Sequence, residues 1–141
     1  MGGDRGVKFG WAGLKDLPHF GPDSAKDILE QKFFIAKKES GEIVGSVKLD
    51  GTNVSGLYVM PKSRTISEKF FKEALRAHFE RTPKLSMVYW TGESEEGHQK
   101  QLERWYSILG AHQLRNKQEP NKPFFVLRRK KLFPEKAPHR L

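Results

Sequence analysis

Apolar residues in this chain fall into short runs and one long helical period. The longest pattern spans Val54 to Phe79. Leu57, Tyr58, Val59 and Met60 form an apolar, aromatic and β-branched run, which predicts a buried strand over about 53–60. Pro61 has no amide hydrogen for a ladder, so the strand should end there. Thr65 and Glu68 stand three apart, the spacing of a capping box. Ile66, Phe70 and Ala74, and likewise Phe71, Leu75 and Phe79, then recur four apart. That period predicts a helix over about 67–81 with one wide apolar face.

The rest of the chain reads as shorter elements around this unit. Residues 1–32 form an irregular arm, with a short strand at Val7–Trp11 and a helix from Ser24 to Gln31. Phe33–Ala36 and Ile43–Leu49 are strands joined by the turn Glu39-Ser40-Gly41-Glu42. Asp50-Gly51 is a hairpin signal before the strand that ends at Pro61. After the helix, Thr82-Pro83 is a stop and Leu85–Trp90 a buried strand. A crossover helix between two strands predicts that they run parallel. A polar acidic loop, a second helix over about 95–109, Gly110 at its C′ position, and strands at Ala111–Arg115 and Phe124–Arg129 follow. The dense basic run Arg128–Lys131 continues that last strand. The expected fold class is α+β, a mixed and mostly antiparallel sheet of about six strands with helices packed on it. The expected core is 33–131, and 132–141 is a basic C-terminal tail.

Composition narrows the function classes. The chain has 141 residues, enough for one domain with a real core. It has no cysteine, which removes disulfides, thiol nucleophiles and thiolate zinc sites. No apolar run approaches the length of a membrane helix, and no secretory signal is legible, so no membrane partner is expected. The five histidines show no metal-ligand spacing, so no metal is expected. The formal charge of +9 favours anionic partners: a nucleotide cofactor, nucleic acid, or an acidic protein surface. The run Arg128–Lys131 reads either as a solvated face or as a nucleic-acid contact.

A strand feeding a helix start presents backbone N–H groups that have no partner within the helix, a ready anion site. Lys62, Arg64 and Lys69 surround this one with positive charge. The alternative is an ordinary strand–loop–helix connection on a basic surface.

Two segments resemble the GNAT superfamily of N-acetyltransferases, and the matching span is roughly Phe33 to Arg129. Leu57-Tyr58-Val59-Met60-Pro61-Lys62-Ser63-Arg64 is similar to the family's L-x-V-x-P-x-x-R strand and loop. Arg104-Trp105-Tyr106-Ser107-Ile108-Leu109-Gly110-Ala111 is similar to its R-x-Y-x-x-x-G-F helix end. The resemblance implies a V-shaped splay between the central strands and acetyl-CoA as cofactor. It implies strand backbone at Val59 beside the pantetheine arm. The pyrophosphate would lie on the loop and helix start at Arg64, Thr65, Ile66, Ser67 and Lys69. It implies Tyr106 as the catalytic residue that protonates the departing thiolate, and an amine acceptor as substrate.

The chain also departs from the pattern. Arg64–Lys69 contains no glycine where the family has several, Glu68 adds a negative charge, and Ala111 replaces an aromatic residue. The strand Val54–Met60 carries no general base, which leaves Glu93, Glu95, Glu96 and His98 as candidates. Two other readings therefore stand beside the enzyme. One is a catalytically silent GNAT-like binding or structural module, similar in plan to internal virion proteins of short-tailed phages and working in a large assembly. The other is a small basic nucleic-acid-binding protein. The expected location is cytoplasmic, or the virion for a phage protein.

Overall fold

The computed structural model describes residues 6–91, 106–114 and 124–133, apart from the side chains of Pro61, Lys62, Arg64 and Thr91. Seven strands form one sheet in the spatial order β1 (Lys8–Trp11), β2 (Phe33–Lys37), β3 (Ile43–Asp50), β4 (Asn53–Val59), β5 (Met87–Thr91), β7 (Phe124–Arg128) and β6 (His112–Leu114). Their pairing is mostly antiparallel and the fold class is α+β, as expected. Seven strands stand in place of about six because the arm strand joins the sheet edge. The chain divides into two compact units, Met1–Asp50 with Val54–His78, and Gly51–Asn53 with Phe79–Leu141.

In the first unit, β1 (Lys8–Trp11), β2 (Phe33–Lys37) and β3 (Ile43–Asp50) form an antiparallel meander. β3 is buried at Ile43–Val47 and at Leu49, so both of its faces are covered. One face carries Phe34 and meets Phe70, whose ring lies 5.9 Å from the Phe34 ring and 5.5 Å from that of Phe9. The other face carries Ile35, which clusters with Ala12 and Ile43, with Phe20 and Phe33 packed against them. The expected helix Ser24–Gln31 is shorter. A 3-10 turn at Pro22–Ser24 leads into α2 (Ala25–Leu29), preceded by the single turn α1 (Leu17–Phe20). Ser24 does not cap α2; its hydroxyl donates to the Phe20 carbonyl at 3.4 Å. Asp16, 6% exposed, pairs with Lys37 and accepts from the Gly13 amide at 2.8 Å, which ties the arm to β2.

β4 (Asn53–Val59) leads through 3-10 turns at Pro61–Ile66 into α3 (Ser67–Arg81). The helix has the bounds its apolar period predicts. Ile66, Phe70, Phe71, Ala74, Leu75 and Phe79 are all buried.

In the second unit, β5 (Met87–Thr91), β6 (His112–Leu114) and β7 (Phe124–Arg128) pair antiparallel through β7. β5 lies parallel to β4 at the register pair Asn53↔Tyr89, as the crossover predicts, and the Tyr89 amide donates to Thr52 O at 2.7 Å. Unlike the expected fully buried strand, β5 alternates. Val88 and Trp90 are buried, whereas Met87 is 36% and Tyr89 40% exposed. β7 ends at Arg128. The next residues do not extend it but form the helical turn α5 (Arg129–Leu132), whose Leu132 is buried. The second predicted helix, α4, is described at residues 106–109 alone.

Candidate functional site

The sequence-based cofactor residues lie together in the first unit because they are consecutive on β4, the turns and α3. Val59 closes β4 and is half-buried. Met60 N donates to Val44 O at 2.8 Å, so the strand exit is fixed to β3. Ser63 is 4% exposed and sits at a kink between the 3-10 turns, with φ −115° and ψ 20°. Its amide donates to Met60 O at 2.8 Å, which folds the chain sharply after Pro61. This fold-back delivers Arg64, Thr65 and Ile66 to the start of α3.

There the roles diverge. Ile66 is 5% exposed, so its side chain belongs to the core and only its backbone can meet a ligand. Thr65 and Lys69 are exposed and Ser67 is half-buried. Thr65, Ile66 and Lys69, with Val7, Phe9 and Glu73, line a surface cavity of about 430 Å³. The 3-10 turns that run into α3 engage some of the amides at its start, and the positive end of a fifteen-residue helix lies there. A hydroxyl and a lysine ammonium open to solvent beside them are the donor set a diphosphate needs. The residues present therefore fit a phosphate-bearing cofactor, with backbone and side-chain donors in place of glycines.

The strand before this turn holds a feature that the apolar pattern missed. Gly56 has φ +61°, left-handed backbone inside β4. The burial phase flips at this point: Val54 is buried, Ser55 and Gly56 are both exposed, and Leu57 and Val59 then turn inward while Tyr58 is 48% exposed. A one-residue slip of phase with a left-handed glycine is the mark of a β-bulge. It explains why Leu57–Met60, expected as a buried run, is half-exposed. The available signal was a lone glycine inside a strand pattern.

The second unit carries Tyr106. Gly110 takes the C′ position with φ +105°. Ala111 N donates to Tyr106 O and Gly110 N to Ser107 O, both at 3.0 Å, which is a Schellman closure. Tyr106 is 5% exposed. Its ring meets Trp90 edge-on at 5.2 Å and Phe125 at 4.7 Å. Burial pushes its phenol up to about 12, with the polar edge of the neighbouring Trp90 indole opposing the shift. The group is therefore a neutral O–H at every physiological pH, unfit to act as a base and a weaker acid than a free phenol.

Glu93, Glu95, Glu96 and His98 lie outside the described residues. No group of three metal-ligating side chains occurs among the described residues. No helix among them is long and apolar enough to cross a membrane.

No protein-family model matches the chain, and no curated protein matches it. Solved structures do. A GNAT-family acetyltransferase from Staphylococcus aureus Mu50 aligns with TM-score 0.62 at 14% identity, over 86% of this chain and 98% of that one. Spermidine N-acetyltransferase from Vibrio cholerae, in complex with CoA and spermine, aligns with TM-score 0.66 at 10% identity, over 91% and 98%. N-acetylglutamate synthase from Neisseria gonorrhoeae, complexed with coenzyme A and N-acetyl-glutamate, aligns with TM-score 0.60 at 16% identity, over 86% of this chain and 35% of that one. At these identities the likeness shows a shared fold, and that fold is the one GNAT acetyltransferases have.

Proposed function

We propose that this GNAT-fold chain is a CoA-dependent N-acyltransferase that uses acetyl-CoA to acetylate an amine. The observation that carries the reading is the exit of β4: a bulged strand, a sharp turn at Ser63, and a helix start with Thr65 and Lys69 open to solvent. Similar structures that hold CoA support the same reading. In this reading the amides from Arg64 to Ser67 hold the pyrophosphate, with the side chains of Arg64, Thr65 and Lys69 supplying the contacts that glycines would otherwise make room for. The backbone at Val59 lies along the pantetheine arm. The cofactor supplies an acyl group activated as a thioester.

Tyr106 is the proton donor. Its place four residues before Gly110 supports the role, and the phenol carries a proton through the neutral range, though burial makes it a weaker acid that needs the developing thiolate close by to accept it. The amine acceptor gains from a site that can take its proton, and Glu93, Glu95, Glu96 and His98 follow β5 in the sequence. Spermine in the Vibrio cholerae complex supports polyamines as the first acceptors to try. The test is release of free thiol from acetyl-CoA in the presence of a panel of amines. Tyr106→Phe should lower turnover by about 10²–10⁴-fold without weakening cofactor binding. The rival is a binding module of the same fold, with no turnover, and its motivation is the glycine-free loop. Absence of thiol release across the panel would favour it.

A further inference from the structure

The four cations Arg128, Arg129, Lys130 and Lys131 divide into two roles. Arg129 is engaged with the chain's own backbone, donating from Nη1 to the carbonyls of Phe79, Thr82 and Leu85. Arg128, Lys130 and Lys131 are exposed. The described residues of the second unit carry Arg81, Lys84 and these four cations, against Glu80 as their one acidic residue. Arg128 pairs with Met87, the first residue of β5. Ligands of open α/β sheets bind beyond the carboxyl ends of strands, so the run does not sit where such a ligand goes.

The register places an aromatic ring on the same face. Met87 and Arg128 form one cross-strand row. The next row is Asn53, Tyr89, Val126 and His112. Tyr89 is 40% exposed, with the exposed Asn53 on one side and the buried Val126 on the other, beyond which His112 is exposed. Rows two residues apart are separated by about 7 Å along a strand. An open phenol ring thus stands one row from the exposed Arg128, with Lys130 and Lys131 exposed on the helical turn that follows it.

We propose that this face binds single-stranded nucleic acid, with phosphates on Arg128, Lys130 and Lys131 and a base stacked on Tyr89. The chemistry favours this partner over a duplex, whose paired bases hide their faces from a ring, because an unpaired strand uses both the cations and the ring.

The test is fluorescence anisotropy of the full chain with labelled oligothymidylate and oligouridylate, over a salt titration. Wild type should bind both, more tightly than duplex DNA of equal length. Combined Arg128→Ala, Lys130→Ala and Lys131→Ala should reduce the log–log salt slope by about two, since each single-strand contact adds about 0.7. Tyr89→Leu should weaken binding about tenfold without changing the slope, and Tyr89→Phe should bind like wild type, because stacking needs the ring and not the hydroxyl. Circular dichroism and melting of each variant separate a lost contact from a lost fold. No binding at low salt would overturn the proposal. So would equal affinity for duplex together with no effect of Tyr89→Leu, because the surface would then be merely basic.

Discussion

Nη1 of Arg129 donates to the carbonyl of Phe79 at 2.7 Å, a bond between residues fifty apart in sequence. The same nitrogen reaches Thr82 O at 3.3 Å and Leu85 O at 3.4 Å. The guanidinium lies 5.8 Å from the Phe79 ring and 5.4 Å from that of Phe133. Phe79 O also accepts from Thr82 N and Thr82 O from Leu85 N, so the guanidinium adds a charge-assisted donor to carbonyls at the end of α3 and just beyond it. Arg129→Ala should lower stability by about 2–3 kcal/mol, read as a lower urea midpoint. Arg129→Lys should recover less than half of this, because an ammonium lacks the planar fork. A midpoint unchanged in the alanine variant would show the contact to be incidental.

Tyr106 predicts an alkaline limit on stability. Its phenol pKa is pushed from the ordinary 10.0 to about 12 by burial, so the folded state holds that proton more tightly than the unfolded state. The resulting stability is fully present below pH 10 and is lost as the pH rises towards 12. Tyr106→Phe has no proton to lose, so its stability should fall less across that window than wild type. Parallel stability curves for the two proteins would contradict the assignment.

Asp16 gives the opposite sign at low pH. Burial raises its carboxyl, but the Lys37 hydrogen bond, the Gly13 amide and the charges of Lys37 and Lys15 together hold it below the ordinary 3.8. A depressed acid stabilises above its unfolded pKa and loses that contribution as the pH falls. Asp16→Asn should lower stability at neutral pH and flatten the acid limb of the curve below about pH 4. An acid limb as steep as in wild type would place the loss elsewhere.

Gly56 should resist substitution although nothing lies within 4 Å of where its Cβ would stand. Its φ of +61° is the obstacle, and an alanine there should cost about 1–2 kcal/mol. Gly10 of β1 is equally open and lacks the left-handed φ, so Gly10→Ala is the control and should leave stability nearly unchanged. Equal effects of the two substitutions would remove the bulge from the account.

Much of this was legible from spacing. The period from Ile66 to Phe79 fixed α3 because each apolar position meets the core. Gly110 announced the end of the next helix, and the crossover announced a parallel strand. What escaped depended on contacts far apart in sequence. Arg129 reads as one more cation in a basic run, and only the end of α3 makes it a cap. Met87 and Tyr89 read as buried because an apolar run does not say which of its faces is covered. The bulge at Gly56 shifts the phase of β4 by one residue, which no period-two pattern anticipates. For the candidate site, residue types were legible but accessibility was not. Ile66 is core, while its neighbours Thr65 and Lys69 are open.

The central claim is that the turn after β4 holds the pyrophosphate of CoA without glycines. Calorimetry of the purified chain with acetyl-CoA tests it most directly. The account predicts saturable binding in the wild type. Affinity should fall about tenfold or more in Arg64→Ala, since a charge-assisted contact is worth about 1.5–3 kcal/mol, and should be unchanged in Tyr106→Phe. No heat of binding in the wild type, or equal affinity in the Arg64 variant, would contradict it.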